Sequence, residues 1–342
     1  MLVPDPKQAN DGDRAALTVA ICTHNRARLL DETLASLAAC ARPQRHELEI
    51  LVIANACTDD SESVVERHSR RLPVRAIVEP QAGLSHARNT AIQHARGNHI
   101  LWTDDDVRVS AGWLTAYERA FAAWPDAKVF GGAVQPVFEN GPPPWLAETL
   151  HLCESAFAAR AVPADAPIDP ARDGFPYGAN FAIESAAQRA RPYAEHLGRR
   201  PGRRIIGGEE LLVIASVMSS GATGRWIARA GVEHVIAPDR QTAAYLRAYF
   251  EGHGYVLGLE DGRSDAGRFN VSAMLAELKA ILRLELRFRR SNRSSRPLEW
   301  VPALIEAAIA RGRFSGRRAA QVPPSIAEDS AGSTLPLSHS GR

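Results

Sequence analysis

HILWTDDDV, residues 99–107, is the stretch on which the reading of this chain turns. His99–Thr103 is a short apolar run, the pattern of a strand buried on both faces. It passes directly into three consecutive aspartates, Asp104, Asp105 and Asp106. Upstream lie three similar runs, LTVAIC (17–22), ELEILVIA (47–54) and VRAIVE (74–79), separated by helix-like segments at 27–40, 58–71 and 83–96. This alternation predicts an α/β fold, with a mostly parallel sheet flanked by helices. Ligands of such sheets bind outside the carboxyl ends of the strands. Four polar segments fall at those ends: Cys22–Asn25, Asn55–Asp60, Pro80–Ser85 and Asp104–Asp106. They are expected to share one crevice.

Adjacent bare carboxylates repel one another, and a divalent cation with a preference for oxygen, Mg²⁺ or Mn²⁺, relieves the repulsion. An isolated triplet could equally be a solvated acidic loop; its place at the end of a buried strand favours the metal. Asp59 and Asp60 precede a helix and read as stabilisers of its N-terminus. The run Gly83, Leu84, Ser85 opens a helix bearing Arg88, which can offer N–H groups and a guanidinium to a phosphate. Glu209 and Glu210 follow Gly207–Gly208 at a helix start. Such a pair can supply a general base, or simply reflect the acids common at helix N-termini. His24 can stack on a base or lie on the surface, and His234, near the end of a strand candidate, can be structural or a ligand.

Of 342 residues, 41 are Lys or Arg and 39 Asp or Glu, a net charge of +2, which excludes the basic field of a dedicated nucleic-acid binder. With 45% hydrophobic positions the chain is not a wholly disordered one. No run approaches the ~18 apolar residues of a membrane span, and MLVPDPKQANDGDR lacks the apolar region of a signal peptide. Four cysteines without a CxxC pair fit a reducing cytosol. Downstream, GPPPW (141–145) breaks the chain and 160–176 reads as a long surface loop. YGANFAIES (177–185) is strand-like, 207–221 helical, and strand candidates lie near 224–236. Helical periodicity returns at 239–258, 271–290 and 298–313, and the tail from about 316 is expected to be disordered.

Taken in order, AICTHNR (20–26), ILVIANACTDDS (50–61), EPQAGLSHARNTAI (79–92) and ILWTDDDV (100–107) resemble the family 2 glycosyltransferases. YGANF (177–181), GGEE (207–210) and VEHVIAP (232–238) resemble that family's C-terminal landmarks. The likeness covers roughly residues 16 to 260. It implies a GT-A type, Rossmann-like fold and transfer of a sugar, with inversion, from a nucleotide-diphospho-sugar to a hydroxyl acceptor. On this resemblance the family's DxD motif falls on Asp104 and Asp106. Asp106 would be the main ligand of Mn²⁺ or Mg²⁺, with Asp104 and Asp105 contributing to metal or nucleotide contacts and His234 to the metal–diphosphate region. Thr23, His24, Asn25, Asn55, Gly83 and Arg88 fall on the nucleotide side. Glu210 stands where the family usually has an aspartate base, with Glu209 as the fallback. Two departures stand out: the second strand ends Ala54–Asn55 without the usual acid, and the base is one methylene longer. Trp145 and Tyr177 are candidates for stacking on the acceptor.

The expected organisation is a flexible N-terminus (1–15) and a glycosyltransferase domain (16–260). That domain has a nucleotide-sugar-binding half (16–135) and an acceptor-binding half (136–260). A C-terminal helical extension (261–315) and a disordered tail (316–342) follow. The acceptor is expected to be a sugar or a lipid-linked sugar, and the location cytoplasmic. Residues 271–290 place Val271, Met274, Leu278, Ile281 and Leu282 on one side, with Lys279, Arg283, Arg287, Arg289 and Arg290 nearby. Such a helix can pack on its own domain or lie peripherally on an anionic membrane. Two other readings stay open: a nucleotidyltransferase, which would want a glycine-rich loop where THNR stands, and a non-catalytic sugar-nucleotide binder.

Overall fold

Leu17, Val19 and Ile21 alternate with Thr18 and Ala20, so the first strand buries both of its faces. In the computed structural model, which describes residues 16–200, 207–264, 271–293 and 296–320, this alternation builds two apolar layers. The first half runs β1 (Ala16–Thr23), α1 (Ala27–Ala39), β2 (Glu47–Asn55), α2 (Ser61–His68), β3 (Val74–Glu79), α3 (Leu84–His94) and β4 (His99–Asp104). It continues through β5 (Val107–Val109), α4 (Trp113–Ala123), β6 (Ala127–Phe138) and α5 (Pro144–Thr149). Then come β7 (Ala166–Pro167), α6 (Pro170–Asp173), β8 (Phe181–Glu184), α7 (Ser185–Arg189), α8 (Glu209–Ser219) and β9 (Thr223–Ile236). Leu30, Leu34 and Leu37 of α1, Val64 and Val65 of α2, and Trp113 and Tyr117 of α4 cover one face. Ala87 and Ala91 of α3 with Val213, Ile214 and Val217 of α8 cover the other.

The strand order is β3-β2-β1-β4-β8-β6-β9-β5, with β7 also paired to β9. β1, β2, β3 and β4 are mutually parallel, as are β6 and β9, while β8 runs antiparallel to β4 and β6. This is the mixed, mostly parallel sheet expected. Chain order reverses between β1 and β4, where Cys22 pairs with Asp104, so the switch point at which such sheets bind their ligands falls at the aspartates. β5 pairs antiparallel with β9 and sets His234 opposite Val107. That register carries the late motif back to the triplet.

Several details differ from the sequence expectation. The stretch 160–176 is not a plain loop: Arg160 bridges to Val134, and β7 and α6 lie within it. The candidates near 224–236 form one strand of 14 residues. Helix α11 (Pro297–Ala320) continues past 316, and residues 321–342, like 1–15, lie outside the described residues.

The chain divides into two compact units, Met1–Thr242 and Ala243–Arg342. The break falls at the start of α9 (Ala243–Ser264), earlier than 260, because α9 is one continuous helix whose partner is α11. Glycines let these two backbones nearly touch. A Cβ on Gly254 would stand 2.2 Å from the Ile309 carbonyl oxygen, and one on Gly312 2.0 Å from that of Glu251. The remaining helix of this unit is α10 (Val271–Ser291).

Candidate active site

The aspartates leave β4 in three different environments. Asp105 turns inward: its carboxylate accepts from Thr23 Oγ1 at 2.7 Å and from Arg26 Nη1 at 3.0 Å. Its backbone carbonyl accepts from Thr33 Oγ1 on α1 at 2.9 Å. Asp106 Oδ2 accepts from Arg26 Nη1 at 3.0 Å and from Arg240 Nη1 at 3.1 Å. Its carbonyl takes the Val235 N–H of β9 at 2.8 Å, which fastens the triplet to the strand bearing His234. His234 Nδ1 donates to the Phe157 carbonyl at 2.8 Å, leaving Nε2 to face Arg240 Nη1 at 3.1 Å and Asp106 Oδ1 at 3.4 Å.

Across the crevice, Arg88 of α3 is 3% exposed and lies near the rings of Trp102 and Tyr193, 5.9 and 5.2 Å from their centroids. It donates to Glu209 Oε1 at 2.6 Å and lies 3.5 Å from Glu210 Oε2. Glu210 Oε1 accepts from the Gly178 N–H at 3.3 Å. Glu209 is wholly buried, whereas Glu210 keeps part of its surface open.

These surroundings separate the acids electrostatically. Burial pushes Asp104 up, Asp106 adds to the rise, and Arg88 and His234 oppose it. Asp105 is pushed up to about 6, by burial against the pull of Arg26. Burial opposes ionisation of Asp106 too, but His234, Arg240 and Arg26 outweigh it and hold that carboxyl far below the usual range. Glu209 rises to about 7 through burial, with Glu210 adding and Arg88 opposing. Burial also lifts the Cys22 thiol to about 12, which disfavours its thiolate.

The structure brings Thr23, Arg88, Asp104, Asp105, Asp106, Glu209, Glu210 and His234 to this crevice. The remaining residues expected on the nucleotide side hold loops together. Asn55 Nδ2 donates to the carbonyls of Glu79 at 3.2 Å and Gln81 at 2.7 Å, while its Oδ1 accepts from the Gly83 N–H at 2.8 Å. Both amide protons are thereby engaged, which leaves Asn55 only acceptor capacity for a base edge. Asn25, at φ 52°, accepts from Thr58 N at 2.7 Å, and His24 Nδ1 donates to the Asn55 carbonyl at 2.7 Å. Asp59 stabilises two helix starts, accepting from Ala27 N at 2.9 Å and Ser61 N at 3.1 Å. Tyr177 is half-buried one residue before Gly178, with the Arg160 guanidinium 5.1 Å from its ring. Trp145 is half-buried on α5.

Sequence reasoning passed over Arg26, Arg240 and Tyr193. Charge balance was the available signal for the two arginines: three carboxylates crowded at the end of a buried strand require cations, and arginines follow β1 and β9 within a few residues. Asn180 of YGANF proves architectural. Its side chain accepts from Trp113 Nε1 and Tyr117 OH and donates to the carbonyls of Ala133 and Ala230.

Asp106 Oδ1 is buried without a hydrogen-bond partner, beside His234 Nε2. An orphaned hard oxygen next to an imidazole nitrogen fits a divalent cation. No group of three His, Cys, Asp or Glu side chains among the described residues makes a ligand set alone. A cation here would complete its shell with substrate phosphates and water, the usual arrangement for Mg²⁺.

Residues 18–167 match the model of glycosyl transferase family 2. The succinoglycan biosynthesis protein ExoM of Rhizobium meliloti (strain 1021) is 25% identical over 248 residues, covering 70% of this chain and 75% of that protein. Among solved structures, the mannosyltransferase PcManGT of Pyrobaculum calidifontis, in complex with GDP-Man and Mn²⁺, aligns at TM-score 0.50 and 18% identity. That alignment covers 98% of this chain and 79% of the other. S. aureus TarS 1–349 in complex with UDP aligns at TM-score 0.51 and 16% identity, over 89% of this chain and 92% of the other. At these identities the structural likeness speaks to the fold, which is the GT-A type.

Proposed function

We propose that this chain, whose residues 18–167 are a family 2 glycosyltransferase domain, is an inverting enzyme. It would move a sugar from a nucleotide-diphospho-sugar to a hydroxyl acceptor in glycan synthesis. One observation carries this reading. The acid pair Glu209–Glu210 and the Asp104–Asp106 triplet meet across the buried Arg88, one side suited to a base and the other to a diphosphate.

Glu210 is the base. It is the more accessible acid of the pair, and Gly178 N–H holds its Oε1. It takes the proton of the acceptor hydroxyl as that oxygen bonds to the anomeric carbon. The bond from that carbon to the phosphate oxygen breaks in the same displacement, and its electron pair leaves with the nucleoside diphosphate. Glu209 is a positioning residue, which fixes Arg88 through their ion pair. Asp106 and His234, with Asp104, would hold Mn²⁺ or Mg²⁺, and the metal, when bound, neutralises charge on the departing diphosphate. Thr23, Asp105 and Arg26 keep the triplet in register. Tyr177, adjoining Gly178, is the nearer candidate for stacking on the acceptor, and Trp145 is the second. Four free thiols suit a cytoplasmic setting.

Glu210→Gln tests the assignment. It should keep donor binding while release of nucleoside diphosphate from UDP-GlcNAc or GDP-mannose falls by roughly 100-fold or more. An unchanged rate would place the base elsewhere.

A further inference from the structure

Helix α10 presents apolar residues on two sides, where a helix packed on one core needs a single stripe. Its inner side carries Met274, Ile281, Leu284 and Phe288, all partly buried. There the Arg247 guanidinium lies 4.8 Å from the Phe288 ring and pairs with Glu285 at 2.7 Å, and Arg317 pairs with Glu277. Leu275, Leu278, Leu282 and Leu286 recur at three- and four-residue spacing along another side and are 50, 41, 60 and 42% exposed. Lys279, Arg283, Arg289 and Arg290 border that stripe, exposed and without an ion pair among the described residues. The acids within the helix, Glu277 and Glu285, are engaged on its inner side.

We propose that this outer face of α10 docks the chain peripherally on an anionic lipid surface. The leucines enter the boundary between headgroups and acyl chains, and the long basic side chains reach lipid phosphates beside them. Charge selects this occupant: a leucine stripe bordered by four cations, with no acid on the same face, complements a negative, laterally continuous surface. No described helix is long and apolar enough to cross a membrane, so the contact lies in the plane of the interface. The inference is independent of the reaction proposed above, because it uses no residue of the crevice.

The test is co-sedimentation of the full chain with vesicles of phosphatidylcholine, with and without about one-third phosphatidylglycerol. Binding is expected with phosphatidylglycerol only and should weaken with salt. The double variant Leu278→Asp/Leu282→Asp should bind roughly tenfold or more weakly, as should Arg283→Ala/Arg290→Ala. Far-UV circular dichroism of both variants should match the parent, since all four side chains are exposed. If the leucine variant loses its fold, the arginine variant decides. Absence of binding to phosphatidylglycerol vesicles, or binding unchanged in a folded variant, overturns the proposal. So does a dimer in sedimentation analysis that the leucine substitutions dissolve, which would make a second copy the occupant.

Discussion

Glu209 and Asp106 illustrate how single acids can shape the pH dependence of this molecule in opposite directions. The Glu209 carboxyl is raised from 4.5 to about 7, so the native state holds its proton more tightly than the unfolded chain. Its contribution to stability is therefore fullest below about pH 4.5 and declines as pH rises toward about 7. Asp106 is depressed, and its contribution, present above the ordinary value of 3.8, is lost as pH falls further. Glu209→Gln should remove the first effect. Between about pH 5 and pH 7.5 the parent should lose unfolding free energy that the variant retains, measured by denaturant melts at both values. Equal losses in the two proteins would show that Glu209 binds no extra proton in the native state. Arg88 is the companion case. Arg88→Ala leaves Glu209 buried beside Glu210 without its cation, and a stability loss of about 3–5 kcal/mol is expected from the same melts.

Elements set what those residues can reach. The β5–β9 pairing is only three residues long, yet it and the Val235–Asp106 backbone bond bring a histidine from the second half of the unit to the triplet. In the C-terminal unit the controlling feature is the approach of α9 to α11. At Gly312 a methyl group would stand 2.0 Å from the Glu251 carbonyl oxygen, which is backbone and cannot rotate away. Gly312→Ala should therefore force the helices apart and cost roughly 1–3 kcal/mol, despite the better helix propensity of alanine. Thermal melts followed by circular dichroism at helical wavelengths check this. An unchanged or higher midpoint would mean the helices can separate freely at that point.

At the scale of the molecule, the crevice draws on segments far apart in the chain, from Thr23 and Asp106 to Glu209 and Arg240. A ligand that bridges them binds the native state and not the unfolded chain, and so raises the apparent midpoint. UDP or GDP with Mn²⁺ should raise it, with a gain of about 2.7 kcal/mol when the ligand stands at a hundred times its Kd. Chelation should remove the metal-dependent part of the shift, and Asp106→Ala should lose the same part. A nucleotide shift of equal size with and without Mn²⁺ would count against the metal role of Asp106.

Periodicity alone placed β1 to β4 and their intervening helices within a few residues, because strands buried on both faces leave a nearly continuous apolar signature. It placed the polar strand ends too, and hence the side of the sheet that carries the site. Helix α4 and strand β6 carried no comparably distinctive motif. The extent of α11 was obscured by Gly312, Gly316 and the polar residues between them, which look like a helix end until α9 is packed against them. The sequence by itself determined the fold class and put the triplet and the acid pair forward as the candidate site, since local pattern and residue type suffice for those. Only the tertiary structure decided which carboxylate faces which partner: Asp105 inward to Thr23 and Arg26, Asp106 to Arg240 and His234, Glu209 to Arg88. Those partners lie up to 134 positions apart. Their pairing follows from strand register and helix packing, which no local window of sequence contains.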